Sequence, residues 1–193
     1  MPELIYRIAT AVHNTLENDP TLAKSRCILA TRTLIEVADY YGIPAEPVVT
    51  TCGVYNRAAL ELRDAGVPVS EWPAHAYSVG TSPSPNHALG NKGGFDGHLI
   101  AIIDGHLIDA ATTQFARPAY GIELPAPICI PLPHDWVPGS VVALQDTAGD
   151  GDWNCVAIYE RETVHADYRT APDWRRNYRR PAAAVIRTLK AAA

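Results

Sequence analysis

The chain has 193 residues, 47% hydrophobic and 19% charged, with a formal net charge of −5. That is sequence enough for one well-cored domain, and the charge leaves no electrostatic footprint for a nucleic-acid partner. No apolar run approaches the roughly 18 residues of a membrane span. Met1-Pro2-Glu3-Leu4-Ile5-Tyr6-Arg7 lacks the basic start and long apolar stretch of a secretion signal, so a cytoplasmic protein with reduced thiols is expected.

From the N-terminus, Leu4, Ile5, Ile8, Ala9, Val12 and Leu16 form a helical stripe over residues 3 to 17, ended by Asn18-Asp19-Pro20. A second helix is expected from about Arg26 to Tyr41, with Gly42 as its stop. Its apolar face (Ile28, Leu29, Leu34, Ile35, Val37, Ala38, Tyr41) is broad, which predicts a central position. Pro44 to Tyr55 reads as a strand, and Asn56 to Ala65 as a short helix capped by Asn56. Residues 66 to 94 are rich in Pro, Ser, Gly and His and read as an irregular insertion.

Beyond the insertion the chain is β-rich. A hairpin is expected at residues 97 to 112, then strands at Ile128-Cys129-Ile130, Ser140 to Gln145 and Trp153 to Tyr159. Ala148-Gly149-Asp150-Gly151-Asp152 reads as a turn; its acidic cluster lacks the ligand spacing of a calcium loop. A last helix is expected over residues 181 to 192, within a basic region (Arg175, Arg176, Arg179, Arg180, Arg187, Lys190) that is either a solvated face or a surface for an anionic partner. There is no internal repeat. The whole is expected to be a single domain, 1 to 193.

Four cysteines occur without a CxxC pair, so no zinc ribbon or thioredoxin-type site is suggested. Cys52, Cys129 and Cys155 sit in apolar, β-prone runs and are expected to be small buried hydrophobes. Cys27 differs. With Ser25 as N-cap it falls in the first turn of the second helix, where exposed amides and the helix dipole favour a thiolate. Taken alone, Cys27 also fits the core like any small apolar residue.

The hairpin adds the rest of the chemistry. Asp104-Gly105 between apolar runs is a strong two-residue turn signal. It predicts that Ile103 faces His106, Ile102 faces Leu107, Ala101 faces Ile108 and Ile100 faces Asp109. His98 and Asp109 are then diagonal neighbours on one face, roughly 7–8 Å apart at the backbone. His106 falls on the opposite face, so register selects His98. A thiol, an imidazole to take its proton and a carboxylate to orient the imidazole are the parts of a cysteine nucleophile. Gln114, five residues past Asp109, is either a cleft residue or a plain turn residue.

At these residues the chain resembles the transglutaminase-like branch of the papain-like cysteine enzymes. Cys27 with its helix running to Gly42-Ile43-Pro44-Ala45 is similar to the family's cysteine helix; Gly97-His98-Leu99-Ile100-Ala101-Ile102 to its histidine strand; and Leu107-Ile108-Asp109-Ala110-Ala111-Thr112 to its aspartate strand. It departs at Ile28, where many members carry Trp, and at Leu99 and Ile100, where an aromatic residue often follows the histidine. The Arg-Gly-Gly-x-Cys signature of arylamine N-acetyltransferases is absent.

The resemblance implies an α+β fold in which N-terminal helices and a central cysteine helix pack on an antiparallel β-sheet. It implies acyl transfer through a Cys27 thioester on a peptide or small amide substrate, with Cys27, His98 and Asp109 as catalytic residues and no cofactor. Ser25 and Gln114 are the candidates for the substrate or oxyanion side, beside the backbone N–H of Cys27. Two other readings stand against it: a catalytically inactive binding module of the same fold, and a metal-dependent hydrolase built on the histidines. The second lacks any HExxH-type spacing.

Overall fold

A computed structural model describes residues 2–19, 26–73, 76–80, 98–147, 153–161, 168–170, 174 and 178–192. It is a mixed α+β structure in which helices cover an antiparallel sheet. Helix α1 (Pro2–Glu17) and helix α2 (Arg26–Tyr40) come first, followed by strand β1 (Ala45–Asn56) and helix α3 (Arg57–Asp64). Strands β2 (Tyr77–Gly80), β3 (His98–Ile103), β4 (His106–Asp109), β5 (Ile128–Pro131), β6 (Val141–Thr147) and β7 (Trp153–Arg161) follow, and helix α4 (Arg179–Ala191) ends the described chain. No helix among the described residues is long and apolar enough to cross a membrane.

The long strand β1 organises the sheet. Its first half pairs with β3 and its second half with both β7 and β2, giving the order β5-β4-β3-β1-β7-β6 with β2 beside β1. Alternation along these strands separates two cores. Leu99, Ala101, Ile103, Val49 and Ile108 face the helix layer, where they meet Ile8 and Val12 of α1, Ile28, Leu34 and Val37 of α2, and Val185 and Leu189 of α4. Val48, Cys52, Val54, Ile100, Leu107, Ala157 and Tyr159 face the other side, covered by Phe115, Ile122 and Trp136.

The expected centrality of the second helix is seen directly. Helix α2 packs on α1, α4, β1 and β3, and buries Cys27, Ile28, Leu29, Ala30, Thr31, Thr33, Leu34, Val37 and Ala38. The Thr31 hydroxyl donates to the Leu99 carbonyl at 2.9 Å, tying the first turns of α2 to the start of β3. Gly42 follows α2 with φ of 68°, the left-handed conformation that ends helices cheaply only at glycine. Asn56 caps α3, its side chain accepting from the Ala59 N–H at 3.1 Å.

Within the 66-to-94 insertion, residues 69–71 form a 3₁₀ turn and Tyr77–Gly80 form β2, so the part described is less irregular than its composition suggests. The strand forms because β1 offers an open backbone edge beyond the end of β3, a partner no local pattern reveals. Residues 81–97 and the expected turn at 148–152 lie outside the described residues. Cys27, Cys52 and Cys155 are buried, but Cys129 is half-buried, because β5 is an edge strand and solvent reaches one side of it.

The Asp104-Gly105 turn sets the hairpin as expected. Ile103 pairs with His106, Ile102 with Leu107 and Ala101 with Ile108. Asp104 and Gly105 have φ of 47° and 73°, the pair of positive angles of a tight hairpin turn matched to strand twist. A Cβ on Gly105 meets nothing within 4 Å, so a substitution there is opposed by backbone conformation alone. Gly105→Ala is therefore expected to lower stability by about 1 kcal/mol, read as a shift of the urea midpoint at unchanged slope. An unshifted midpoint contradicts the turn assignment.

Candidate active site

His98 is the first residue of β3 and Asp109 the last of β4, so both lie at the same end of the hairpin. The register turns them to the face that also carries Ile100, Cys52 and Tyr159. The His98 Nε2–H donates to Asp109 Oδ2 at 2.7 Å, and both side chains are 1% exposed. Asp109 has two further donors: the Tyr159 hydroxyl to Oδ2 at 2.9 Å, and the Ala111 N–H to Oδ1 at 2.9 Å. A buried carboxylate persists in charged form only when its oxygens are satisfied in this way.

Further groups act on the ring besides Asp109. The Cys27 thiol, in the first turn of α2, adds a small contribution to the upward shift of His98. Gln114, in the 3₁₀ turn Thr112–Phe115, brings its Nε2 to 3.0 Å from His98 Nδ1. The Phe115 ring stands edge-on to the imidazole, centroids 4.9 Å apart at 70°. The hairpin end is also held from α1: His13 Nδ1 lies 3.1 Å from the Ala110 carbonyl, and the Thr113 hydroxyl donates to Glu17 Oε1 at 2.6 Å.

His98, Asp109 and Gln114 are thus brought together by direct contacts, with Cys27 among the groups that act on His98, and Gln114 is half-buried against the ring. Ser25, the expected N-cap, lies outside the described residues. His106 sits beside the turn, its Nδ1 3.0 Å from the Asp104 carbonyl, away from the site. Among the described residues no three His, Cys, Asp or Glu side chains converge in a metal-holding group.

Tyr159 is the member of this cluster that the sequence conceals. In the primary structure it is one of several aromatic residues in β-prone runs. Its role arises from the pairing of Cys52 with Tyr159 across β1 and β7, which sets the phenol beneath Asp109.

Electrostatics couple these groups. Burial works against charge on His98, but attraction to Asp109 and the hydrogen bond donated to it, with a smaller part from Cys27, outweigh burial and raise the ring to about 10. Burial likewise opposes ionisation of Asp109, yet His98, the Ala111 N–H and the Tyr159 hydroxyl hold its carboxyl below the usual value of 3.8. Burial, then the Asp109 charge, push the Cys52 thiol and the Tyr159 phenol upward, so both stay neutral. The arrangement is a buried imidazole–carboxylate pair whose shifts favour charge on both partners, with Gln114 at the second ring nitrogen.

Set against protein-family models, curated proteins and solved structures, the chain matched none of them.

The pair fixes a pH dependence of stability. His98 lies above its ordinary 6.5 in the folded protein, so its contribution is full below about pH 6.5 and is lost as pH rises toward 10. Asp109 lies below 3.8, so its contribution is present above that value and is lost as pH falls through its lowered value. Thermal midpoints across pH are expected to decline on the alkaline side in the wild type, with a flatter decline in Asp109→Asn. Equal alkaline slopes contradict the pairing.

Proposed function

We propose that the protein is a cysteine-nucleophile acyl-transfer enzyme of the papain-like, transglutaminase-like kind, acting on an amide or ester carbonyl. One observation carries the reading: a buried imidazole is bound to Asp109 at 2.7 Å, and the cysteine that helps to raise its pKa stands in the first turn of a helix. Structural histidine–aspartate pairs are common, but a cysteine at a helix N-terminus acting on the same ring supplies a reason for the arrangement.

The steps follow from the donors and acceptors in place. In the reactive form the proton of the Cys27–His98 pair rests on the ring, leaving a thiolate beside an imidazolium that Asp109 stabilises. The thiolate attacks the carbonyl carbon, forming a C–S bond, and the Cys27 backbone N–H donates to the oxyanion. His98 returns the proton to the leaving nitrogen or oxygen as its bond to carbon breaks, which leaves a thioester. An incoming water or amine gives its proton to His98, attacks the thioester and releases Cys27. Water as acceptor makes the enzyme a peptidase, amidase or deamidase; an amine makes it a transferase.

A second reading, an inactive binding module of the same fold, draws support from the low exposure of Cys27 (8%) and His98 (1%). Iodoacetamide separates the two: an enzyme has a Cys27 that alkylates readily with a strong pH dependence, and the module has an inert one.

Cys27→Ala is expected to fold and to lose at least about 10³-fold in turnover of p-nitrophenyl acetate and small peptide amides. Asp109→Asn is expected to keep the fold and slow turnover by roughly 10²–10⁴-fold, because it removes the charge that stabilises the imidazolium. Full turnover in Cys27→Ala rules the enzyme reading out.

A further inference from the structure

His98 Nε2 is committed to Asp109, which leaves one nitrogen for everything else the ring must do. Two groups address it. The Gln114 amide nitrogen lies 3.0 Å from Nδ1, and Cys27, in the first turn of α2, contributes to the upward shift of the ring. A ring nitrogen offers one lone pair or one N–H in its plane, so it serves two partners only in turn. The two partners differ in kind: a thiol gives up its proton, whereas a primary amide carries a donor at one end and an acceptor at the other.

Gln114 is held in place by the same carboxylate that holds the ring. Asp109 Oδ1 accepts from the Ala111 N–H at 2.9 Å, and the Ala111 carbonyl accepts from the Gln114 N–H at 3.1 Å. The 3₁₀ turn between them sets the Phe115 ring against the imidazole from another side. Asp109, the turn and Gln114 therefore form a closed bracket around His98, with Cys27 at its opening.

We propose that Gln114 is a positioning residue that holds the Nδ1 edge of His98 in both of the ring's protonation states. To the neutral ring it donates from Nε2. When the Cys27 proton has moved to Nδ1, a half-turn of the amide presents Oε1, which accepts from Nδ1–H. The imidazolium is then held by acceptors on both edges, which favours the thiolate of Cys27. The titratable groups facing the ring are Asp109 from β4, Cys27 from α2, and Tyr159 and Cys52 beyond the carboxylate from β7 and β1. The inference rests on the acyl-transfer reading, since a thiol that never gives up its proton leaves Gln114 nothing to follow.

The test is the pH profile of iodoacetamide alkylation at Cys27, resolved from the other cysteines by peptide mass spectrometry. Gln114→Met keeps the length of the side chain and removes both hydrogen-bonding ends; Gln114→Asn keeps the amide and withdraws it by one methylene. Both are expected to raise the alkylation midpoint by about one pH unit, a roughly tenfold loss of rate below it. In the wild-type protein the side-chain amide resonances of Gln114 are expected to titrate at the Cys27 midpoint, a readout that needs no variant. Wild-type midpoints in both variants, slower alkylation at an unchanged midpoint, or amide resonances that stay still through the titration each overturn the inference about Gln114 alone. A wild-type Cys27 that titrates like a free thiol, near about pH 8.5, removes the acyl-transfer reading and the inference with it.

Discussion

A carboxylate buried to 2% exposure with three donors around it is the constraint on which the described site depends. Asp109 stays charged out of water because an imidazole, a phenol and a backbone amide replace the water it has lost. Each donor comes from a different part of the architecture: the neighbouring strand, a strand beyond β1, and the turn that leaves β4. Removing any one leaves a lone pair in an apolar setting. The charge on Asp109 therefore sets the charge on His98, and His98 in turn sets what the Cys27 thiol meets.

The sheet delivers this at modest cost because the register does most of the positioning. Strands fix which residues are opposed and which share a face, and a slip of one position sends the whole set to the other side. Asp104-Gly105 guards against the slip, while Thr50, opposite His98 on β1, donates to the His98 carbonyl at 3.3 Å and steadies the start of β3. The Thr31 bond to Leu99 ties the cysteine helix to the residue next to the imidazole. Helix and strand are thus joined within about one turn of Cys27 and one residue of His98 rather than through distant packing.

Much of this was legible in the sequence where the governing interactions are local. The stripe of Ile5, Ile8, Val12 and Leu16 marks a helix because period 3.6 leaves no other reading, and Asp-Gly marks a hairpin because few residues tolerate paired positive φ. The His98–Asp109 pairing followed from turn length and alternation alone. What stayed hidden depends on pairing between distant segments. Strand β2 forms only because β1 has a free edge there, and Tyr159 gains its role only because β7 lies antiparallel to β1 in a particular register. The side of the sheet on which the pair sits was equally hidden. His98 and Asp109 are on the face away from the main helix layer, with Cys27 reaching them from that layer. Gln114 was suspected from its nearness in sequence to Asp109, but a 3₁₀ turn and an exposed loop look alike in composition.

The donors of Asp109 are not equally distant along the chain. The bonds from His98 and Ala111 close within a hairpin and its exit, eleven and two residues away, whereas the Tyr159 hydroxyl arrives from 50 residues downstream. Short loops close early and long ones late in folding. A nascent or nicked chain that holds the hairpin but lacks β7 has the imidazole and the carboxylate, yet not the phenol or the wall that keeps water from them. The charged pair is then solvated and weak, so the buried cluster is complete only when the last strand has docked.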